Sequence, residues 1–125
     1  MNIHKGIKHV EIEDGNYSQA IGIGLTAVLF TYQVPQKQTL ILKKFGNYCS
    51  AVGAWAGLAV WRIIRNNVGI FPYDDILEQL GTSQEPRDIK PLIFQGGDLL
   101  VINCSNNTAG IIDMGIAITY EVMDT

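Results

Sequence analysis

Apolar and polar residues alternate most regularly near the end of the chain. Five residues would share one face of an extended strand: Met114, Ile116, Ile118, Tyr120 and Val122. The opposite face would carry small or polar residues: Asp113, Gly115, Ala117, Thr119 and Glu121. Alternation with a period of two predicts a β-strand with one buried face. Upstream, the more fully apolar run at 98–103 follows Gly96-Gly97, which predicts a partner strand after a turn.

Four further strands are predicted over residues 20–33, 38–45, 58–65 and 89–94. Gly22 and Gly24 lie within the first run and indicate a bulge or the close approach of another backbone. Gly46-Asn47 predicts a turn that ends the second run, and Asn66-Asn67 predicts a tight hairpin after the third. Pro91 cannot donate a ladder hydrogen bond, so it places the last run at a sheet edge or at a strand end.

Only residues 74–81 have a helical pattern, with acidic residues at the start, apolar residues at helical spacing and Gly81 at the end. Residues 1–18 are polar and uneven, and they are predicted to form an N-terminal arm that is partly strand. We therefore expect an all-β chain with at most one short helix. The predicted fold over residues 19–125 is a single-domain antiparallel β-sandwich, jelly-roll-like in topology.

Charge and composition narrow the classes of partner. The net charge is −3 and only 17% of residues are charged, against 47% that are apolar. Nucleic-acid binding requires a clustered basic face, and membrane-surface binding is commonly driven by a polybasic patch, so neither partner is predicted. Residues 1–6 lack the apolar run of a signal peptide, which predicts synthesis in the cytoplasm. The excess of apolar residues predicts a dense core, a sizeable subunit interface, or both.

The stretch from Cys49 to Val60 carries no charged residue and surrounds one tryptophan with small residues. Surface loops are normally polar, so an apolar loop usually packs against something. Val52, Trp55 and Leu58 are therefore the candidate residues of an oligomer interface, since a central tryptophan is a common interface anchor.

Catalytic and metal-binding patterns are weak throughout the chain. His4 and His9 are the only histidines, and their spacing fits no common metal motif. The acidic residues Asp74, Asp75 and Glu78 are interpreted as the first turn of the predicted helix. Cys49 and Cys104 are expected to be buried, reduced thiols rather than a disulfide. No enzyme, metal site or cofactor is predicted.

Three stretches resemble small jelly-roll decoration (cement) or head-fibre-base proteins of tailed bacteriophages. They are a strand containing Trp61-Arg62-Ile63, a turn at Pro72-Tyr73, and residues 96–103, which begin Gly-Gly-Asp-Leu. The resemblance implies a homotrimer that binds the major capsid protein and decorates or stabilises a virion, where the protein would be located. Tyr73 and Asp74, in the turn, are candidate loop contacts.

Two alternatives to a structural virion protein stay open. A carbohydrate- or receptor-binding module on the same fold would use loop aromatics such as Trp55 and Tyr73. A small cupin-like enzyme is disfavoured, because no histidine follows residue 9 and metal-dependent barrel enzymes need histidines on their strands.

Overall fold

The computed structural model describes residues 9–82 and 84–125, without the side chain of His9. These residues form two four-stranded antiparallel sheets that pack face to face. The strands are β1 (His9–Ile21), β2 (Thr26–Gln33), β3 (Gln38–Cys49), β4 (Ala59–Arg65), β5 (Val68–Gly69), β6 (Arg87–Phe94), β7 (Leu99–Asn106) and β8 (Ile112–Asp124). A single 3-10 turn, Val52–Trp55, is the one helical element of the described chain.

Strand order identifies the sandwich as a jelly roll. The first sheet has the order β1-β8-β3-β6 and the second has the order β2-β7-β4-β5. Consecutive strands alternate between the sheets except in the β4–β5 hairpin, which lies within the second sheet. This is the double Greek key arrangement of eight-stranded jelly rolls. The predicted fold class is confirmed.

The core lies between the two sheets, where Trp61, Phe45 and Phe94 are fully buried. Trp61 donates its indole N–H to the carbonyl oxygen of Gly115 on the other sheet, at 3.2 Å. This bond satisfies the polar group of the largest core side chain. The predicted inward face of β8 agrees with the structure. The core between the sheets excludes the equally buried Ala117 but contains the predicted inward residues Met114, Ile116, Ile118 and Tyr120.

Two local predictions agree with the structure. Asn66 and Asn67 have φ angles of 50° and 69°, so both central residues of the β4–β5 hairpin are left-handed, as a tight type I′ turn requires. Pro91 lies in β6, an edge strand of the first sheet, where its missing N–H costs no ladder bond.

The strand predicted over residues 20–33 is wrong, because the chain turns at residues 22–25 and crosses to the other sheet. Leu25 donates its N–H to the carbonyl oxygen of Gly22 at 3.1 Å, and Gly24 has a φ of 71°. A left-handed backbone favours glycine, which explains Gly24. The glycines therefore mark a turn and not a bulge.

The turn predicted at Gly46-Asn47 is also wrong, since both residues are buried within β3. A Cβ at Gly46 would overlap the carbonyl oxygen of Thr82, so only glycine lets that loop lie on the strand. The Asn47 side chain donates to the carbonyl oxygen of Glu78 and accepts from the N–H of Leu80, both at 2.9 Å. Gly46 and Asn47 therefore do not form a turn. They hold the segment before β6 against β3.

The helix predicted over residues 74–81 does not form. Ile76 instead pairs with Trp61 in an isolated antiparallel bridge, with N–H to carbonyl distances of 2.7 and 3.0 Å. Of the three apolar residues at helical spacing, only Ile76 is buried in the core. Pairing with β4 therefore overrides a helical pattern that has no apolar face to bury.

The predicted boundary between arm and domain, at residues 18 and 19, lies inside β1. From His9 to Ile21 this strand pairs with β8, which makes residues 9–18 part of the sandwich. The rest of the predicted arm, like His4, lies outside the described residues.

Cys49 and Cys104 are free and buried, as predicted. Burial raises the pKa of the Cys104 thiol to about 11, and it also raises the pKa of Cys49. Between about pH 9 and pH 11 the unfolded chain therefore releases thiol protons that the folded chain keeps, and stability falls as the pH rises. We expect neither thiol to react with Ellman's reagent at pH 8 until guanidinium unfolds the chain. Rapid stoichiometric labelling of the native protein would contradict this burial.

Candidate functional site

One end of the sandwich carries a cluster of exposed aliphatic side chains, which we call the apolar end. It is formed by three loops, at residues 22–25, 50–58 and 107–111. Its members and their exposed fractions are Ile23 (59%), Leu25 (58%), Val52 (88%), Leu58 (41%) and Ile111 (71%). No charged residue occurs in the three chain segments that contain these loops, 15–36, 49–61 and 99–112. Single exposed apolar residues are ordinary, but an uncharged group of them on one surface indicates an interaction site.

Asn106 holds two of these loops together from a fully buried position. Its side-chain amide donates to the carbonyl oxygens of Ile21 and Gly110 at 2.9 Å and to that of Gly22 at 3.3 Å. Its side-chain oxygen accepts from the N–H and the hydroxyl of Thr108, at 2.9 and 2.6 Å. Both the nitrogen and the oxygen of the Asn106 side-chain amide are therefore hydrogen-bonded, and these bonds fix the two loops in place.

The third loop is tied to the same end by main-chain bonds. Asn107 donates its N–H to the carbonyl oxygen of Leu58 at 2.8 Å. Ser50 and Asp113 exchange two further bonds, each of 2.9 Å. These contacts hold residues 50–58 against the β7–β8 connection and complete a rigid surface.

The predicted interface residues divide into two groups. Val52 and Leu58 are exposed on the apolar end. Trp55 is half-buried and stacks on Trp61, with ring centroids 5.1 Å apart and planes 19° apart. Participation of these residues in an interface stays a prediction, but the geometry gives Trp55 a packing role beneath the loop.

Tyr73 and Asp74, the predicted loop contacts, are not among the exposed side chains of the apolar end. The hydroxyl of Tyr73 accepts a hydrogen bond from the N–H of Lys90 at 3.1 Å, and the ring packs against the core. Asp74 is half-buried beside Gly69, where a Cβ would lie 2.7 Å from that of Asp74. Both residues therefore help to secure the segment after β5.

A second surface, which we call the outer trough, crosses the exposed face of the first sheet. It is a cleft of about 230 Å³ lined by Glu13, Asp14, Tyr17, Gln84, Pro86, Ala117, Ile118 and Thr119. Beneath it, Gly15, Ala117 and Gly46 form one cross-strand row on β1, β8 and β3. Three adjacent small residues lower the floor of the trough toward the backbone.

Tyr17 forms one wall of the outer trough because β1 bulges there. Between Asn16 and Gln19, two residues of β1 oppose the single residue Gly115 of β8. A Cβ at Gly115 would overlap the carbonyl oxygen of Tyr17, and one at Gly15 would lie 2.9 Å from its ring atom Cε1. Bulges re-aim side chains, and the two glycines provide the space that this one needs.

Gln84 and Pro86 form the opposite wall, and the absence of a side chain at Gly46 lets Thr82 and Pro86 lie close to β3. Thr82 donates its N–H to the carbonyl oxygen of Glu85 at 3.0 Å, and its hydroxyl accepts from the N–H of Glu85 at 2.9 Å. Thr119 at the floor is only 3% exposed, whereas the sequence predicted an open polar face for this side of β8. Both walls stand over β8, which explains the difference.

Charged residues continue beyond the trough in cross-strand order. Glu13, Thr119, Lys44 and Asp88 form a row across all four strands of the first sheet. In the next row the hydrogen bond of Lys43 to Glu121, at 2.6 Å, raises the pKa of Lys43. Asp14 and Ile118 share the inner face by alternation. Burial raises the pKa of Tyr120, and the negative charge of Asp14 raises it further. Glu13 is thus the one carboxylate of the lining that alternation places on the trough side.

The described residues contain no group of three or more histidine, cysteine, aspartate or glutamate side chains that could hold a metal ion. The predicted acidic cluster is divided, because Asp75 pairs with Nε of Arg62 at 2.9 Å. Between residues 9 and 125, Ser83 aside, no helix is both long enough and apolar enough to cross a membrane.

No protein-family model matches the sequence, and neither does any curated protein. Among solved structures, dimeric latent PorU from Porphyromonas gingivalis matches 95% of this chain, at 9% identity and a TM-score of 0.49. The ANX2 ectodomain from Arabidopsis thaliana matches 86% at 14% identity and a TM-score of 0.44, and plant receptor-like kinase ANX2 matches 86% at 16% identity and 0.40. The chain spans 13%, 33% and 31% of those chains, respectively. Likenesses this distant carry no functional argument.

Proposed function

We propose that the protein is a structural assembly protein and not an enzyme. In this proposal it self-associates through the apolar end as a homotrimer and binds the surface of a tailed-bacteriophage capsid. The observation that carries the self-association is the apolar end itself, with five exposed aliphatic side chains on three uncharged loops. The trimer and the capsid come from the resemblance of the sequence to phage decoration proteins.

Exposed aliphatic side chains favour association because burial removes them from water. Complete burial of one such side chain is worth about 1.5–3 kcal/mol. The chain carries a net charge of −3, so copies repel one another weakly at most surfaces. Loops without charge let copies approach without bringing carboxylates together.

Preorganisation supports the same proposal. Asn106 and the main-chain bonds of Asn107 and Ser50 hold the loops in place before any partner binds. Ordering a mobile loop costs free energy on association, and a fixed surface avoids that cost.

Co-sedimentation with purified, undecorated capsids of tailed bacteriophages tests the proposed partner. We expect the wild-type chain to pellet with the capsids at saturating, stoichiometric amounts. The Val52→Glu/Ile111→Asp variant should pellet less, whereas Val68→Asp, an equally exposed change outside the apolar end, should behave as the wild type. A wild-type chain that stays in the supernatant at every concentration would argue against capsid binding.

A second candidate function is a carbohydrate- or receptor-binding module, favoured by the outer trough. Its predicted aromatics, Trp55 and Tyr73, are engaged inside the fold, but Tyr17 is 54% exposed beside the cleft. Screening the chain on a glycan array tests this candidate. Concentration-dependent signals on defined glycans are expected, and an array without signal would oppose it.

A further inference from the structure

We infer that the outer trough is a binding site for a single neutral hexose ring, such as a terminal residue of a glycan. This inference rests on the second candidate function, carbohydrate binding, and is independent of self-association through the apolar end. The inferred sugar site lies on the outer face of the first sheet, whereas the sequence suggests the loop aromatics Trp55 and Tyr73.

The size of the outer trough fits one ring rather than a chain of sugars. Its volume of about 230 Å³ is below the roughly 300–1,000 Å³ of pockets that hold drug-sized ligands. Tyr17 closes one side, Gln84 and Pro86 close the other, and Ala117 and Thr119 form the floor. A ring could enter from solvent, with the remainder of a glycan projecting outward.

The hydroxyl of Thr119 is a polar group available to a ligand at the floor of the trough. Its residue is only 3% exposed, and no hydrogen bond among the described residues uses this hydroxyl. The hydroxyl is not one of the buried side-chain atoms that lack a partner, so it reaches the solvent of the trough. Since Thr119 lines the trough, a sugar hydroxyl there would replace water as its hydrogen-bond partner.

Two more polar groups at the trough are unpaired within the described chain, the carboxylate of Glu13 and the amide of Gln84. Together with Thr119 they offer both acceptors and donors, which matches the neighbouring hydroxyls of a sugar ring. Tyr17 adds an aromatic ring with its own free hydroxyl. A hexose has an apolar C–H face and polar edges, and this lining provides a partner for each.

Charge selects a neutral sugar over an acidic one. The lining contains two carboxylates, those of Glu13 and Asp14, and no lysine, arginine or histidine, so an anionic ring would face negative charge at close range. An extended peptide is a poorer fit, because strand addition needs a free sheet edge and the trough lies across the face over β8, a central strand.

Titration of the isotopically labelled chain with methyl glycosides of glucose, galactose and mannose, followed by amide NMR spectra, tests the inference. We expect at least one glycoside to shift the amide signals around Tyr17, Ala117 and Thr119 with saturation. N-acetylneuraminic acid, which is anionic, should shift none of them. The absence of saturable shifts at these amides for all three glycosides would overturn the inference.

Matched variants separate the trough from carbohydrate binding elsewhere. Tyr17→Ala is expected to raise Kd about 10-fold and Thr119→Val about 3- to 10-fold, from the loss of ring contact and of one hydrogen bond. Phe71→Ala and Thr31→Val, which change exposed residues outside the trough, should keep the wild-type Kd. Array binding that survives both trough variants would retain the second candidate function and reject this site, whereas no glycan binding at all would reject both.

Discussion

Asn106→Asp is expected to lower the free energy of unfolding by about 4 kcal/mol or more at pH 7. The wild-type amide donates to three carbonyl oxygens, those of Ile21, Gly22 and Gly110. A carboxylate has no donor for them and places a buried negative charge against three oxygen atoms. Leaving a buried charge uncompensated costs about 3–5 kcal/mol, and the orphaned carbonyl groups add to that cost.

Thermal unfolding followed by circular dichroism measures this effect. The neighbouring change Asn107→Asp is the matched control, because Asn107 is exposed and its side chain makes no hydrogen bond within the described chain. It should stay within about 0.5 kcal/mol of the wild type. Equal melting temperatures for the two variants would show that Asn106 does not hold the loops together.

Ile118→Asp is expected to prevent folding. Ile118 is 1% exposed in β8, and its cross-strand neighbour on β1 is Asp14. The variant would bury an unpaired carboxylate beside a second one, and both desolvation and like-charge repulsion oppose this. The cost of several kcal/mol approaches the whole stability of a domain of this size.

Ile111→Asp makes the same chemical change at a residue that is 71% exposed. This control should fold with nearly wild-type stability. Far-UV circular dichroism and soluble yield distinguish the two variants. A folded, soluble Ile118→Asp chain would mean that the register of β8 differs from the one described.

The fold class was predictable because β8 alternates without interruption and apolar runs are separated by turn residues. Alternation predicts which face of β8 packs into the core, and the structure agrees for Met114, Ile116, Ile118 and Tyr120. The prediction failed where exposed residues continue the pattern. Ile23 and Leu25 continue the alternation of β2 in the sequence. In the structure they lie in the turn before β2, and both are exposed.

Other failures arose from contacts between distant parts of the chain. Gly46-Asn47 resembles a turn, yet Gly46 lies within a strand where Thr82 approaches closely. The outer trough depends on a bulge of β1 opposite Gly115, which the uninterrupted alternation of β8 does not indicate. Residues 74–81 pair with β4 instead of forming a helix because tertiary pairing outweighs a weak local preference.

The central claim is that copies of this chain cover the apolar end, and the mass of the particle in solution tests it most directly. Multi-angle light scattering on a sizing column at micromolar concentration should give three chains of 13.8 kDa, about 41 kDa. The Val52→Glu/Ile111→Asp variant should shift toward the mass of one chain, while Val68→Asp should stay assembled. Trp55→Glu is a poorer test, since Trp55 stacks on Trp61 and its loss would also disturb packing. A wild-type mass of 13.8 kDa throughout the micromolar range would contradict the claim.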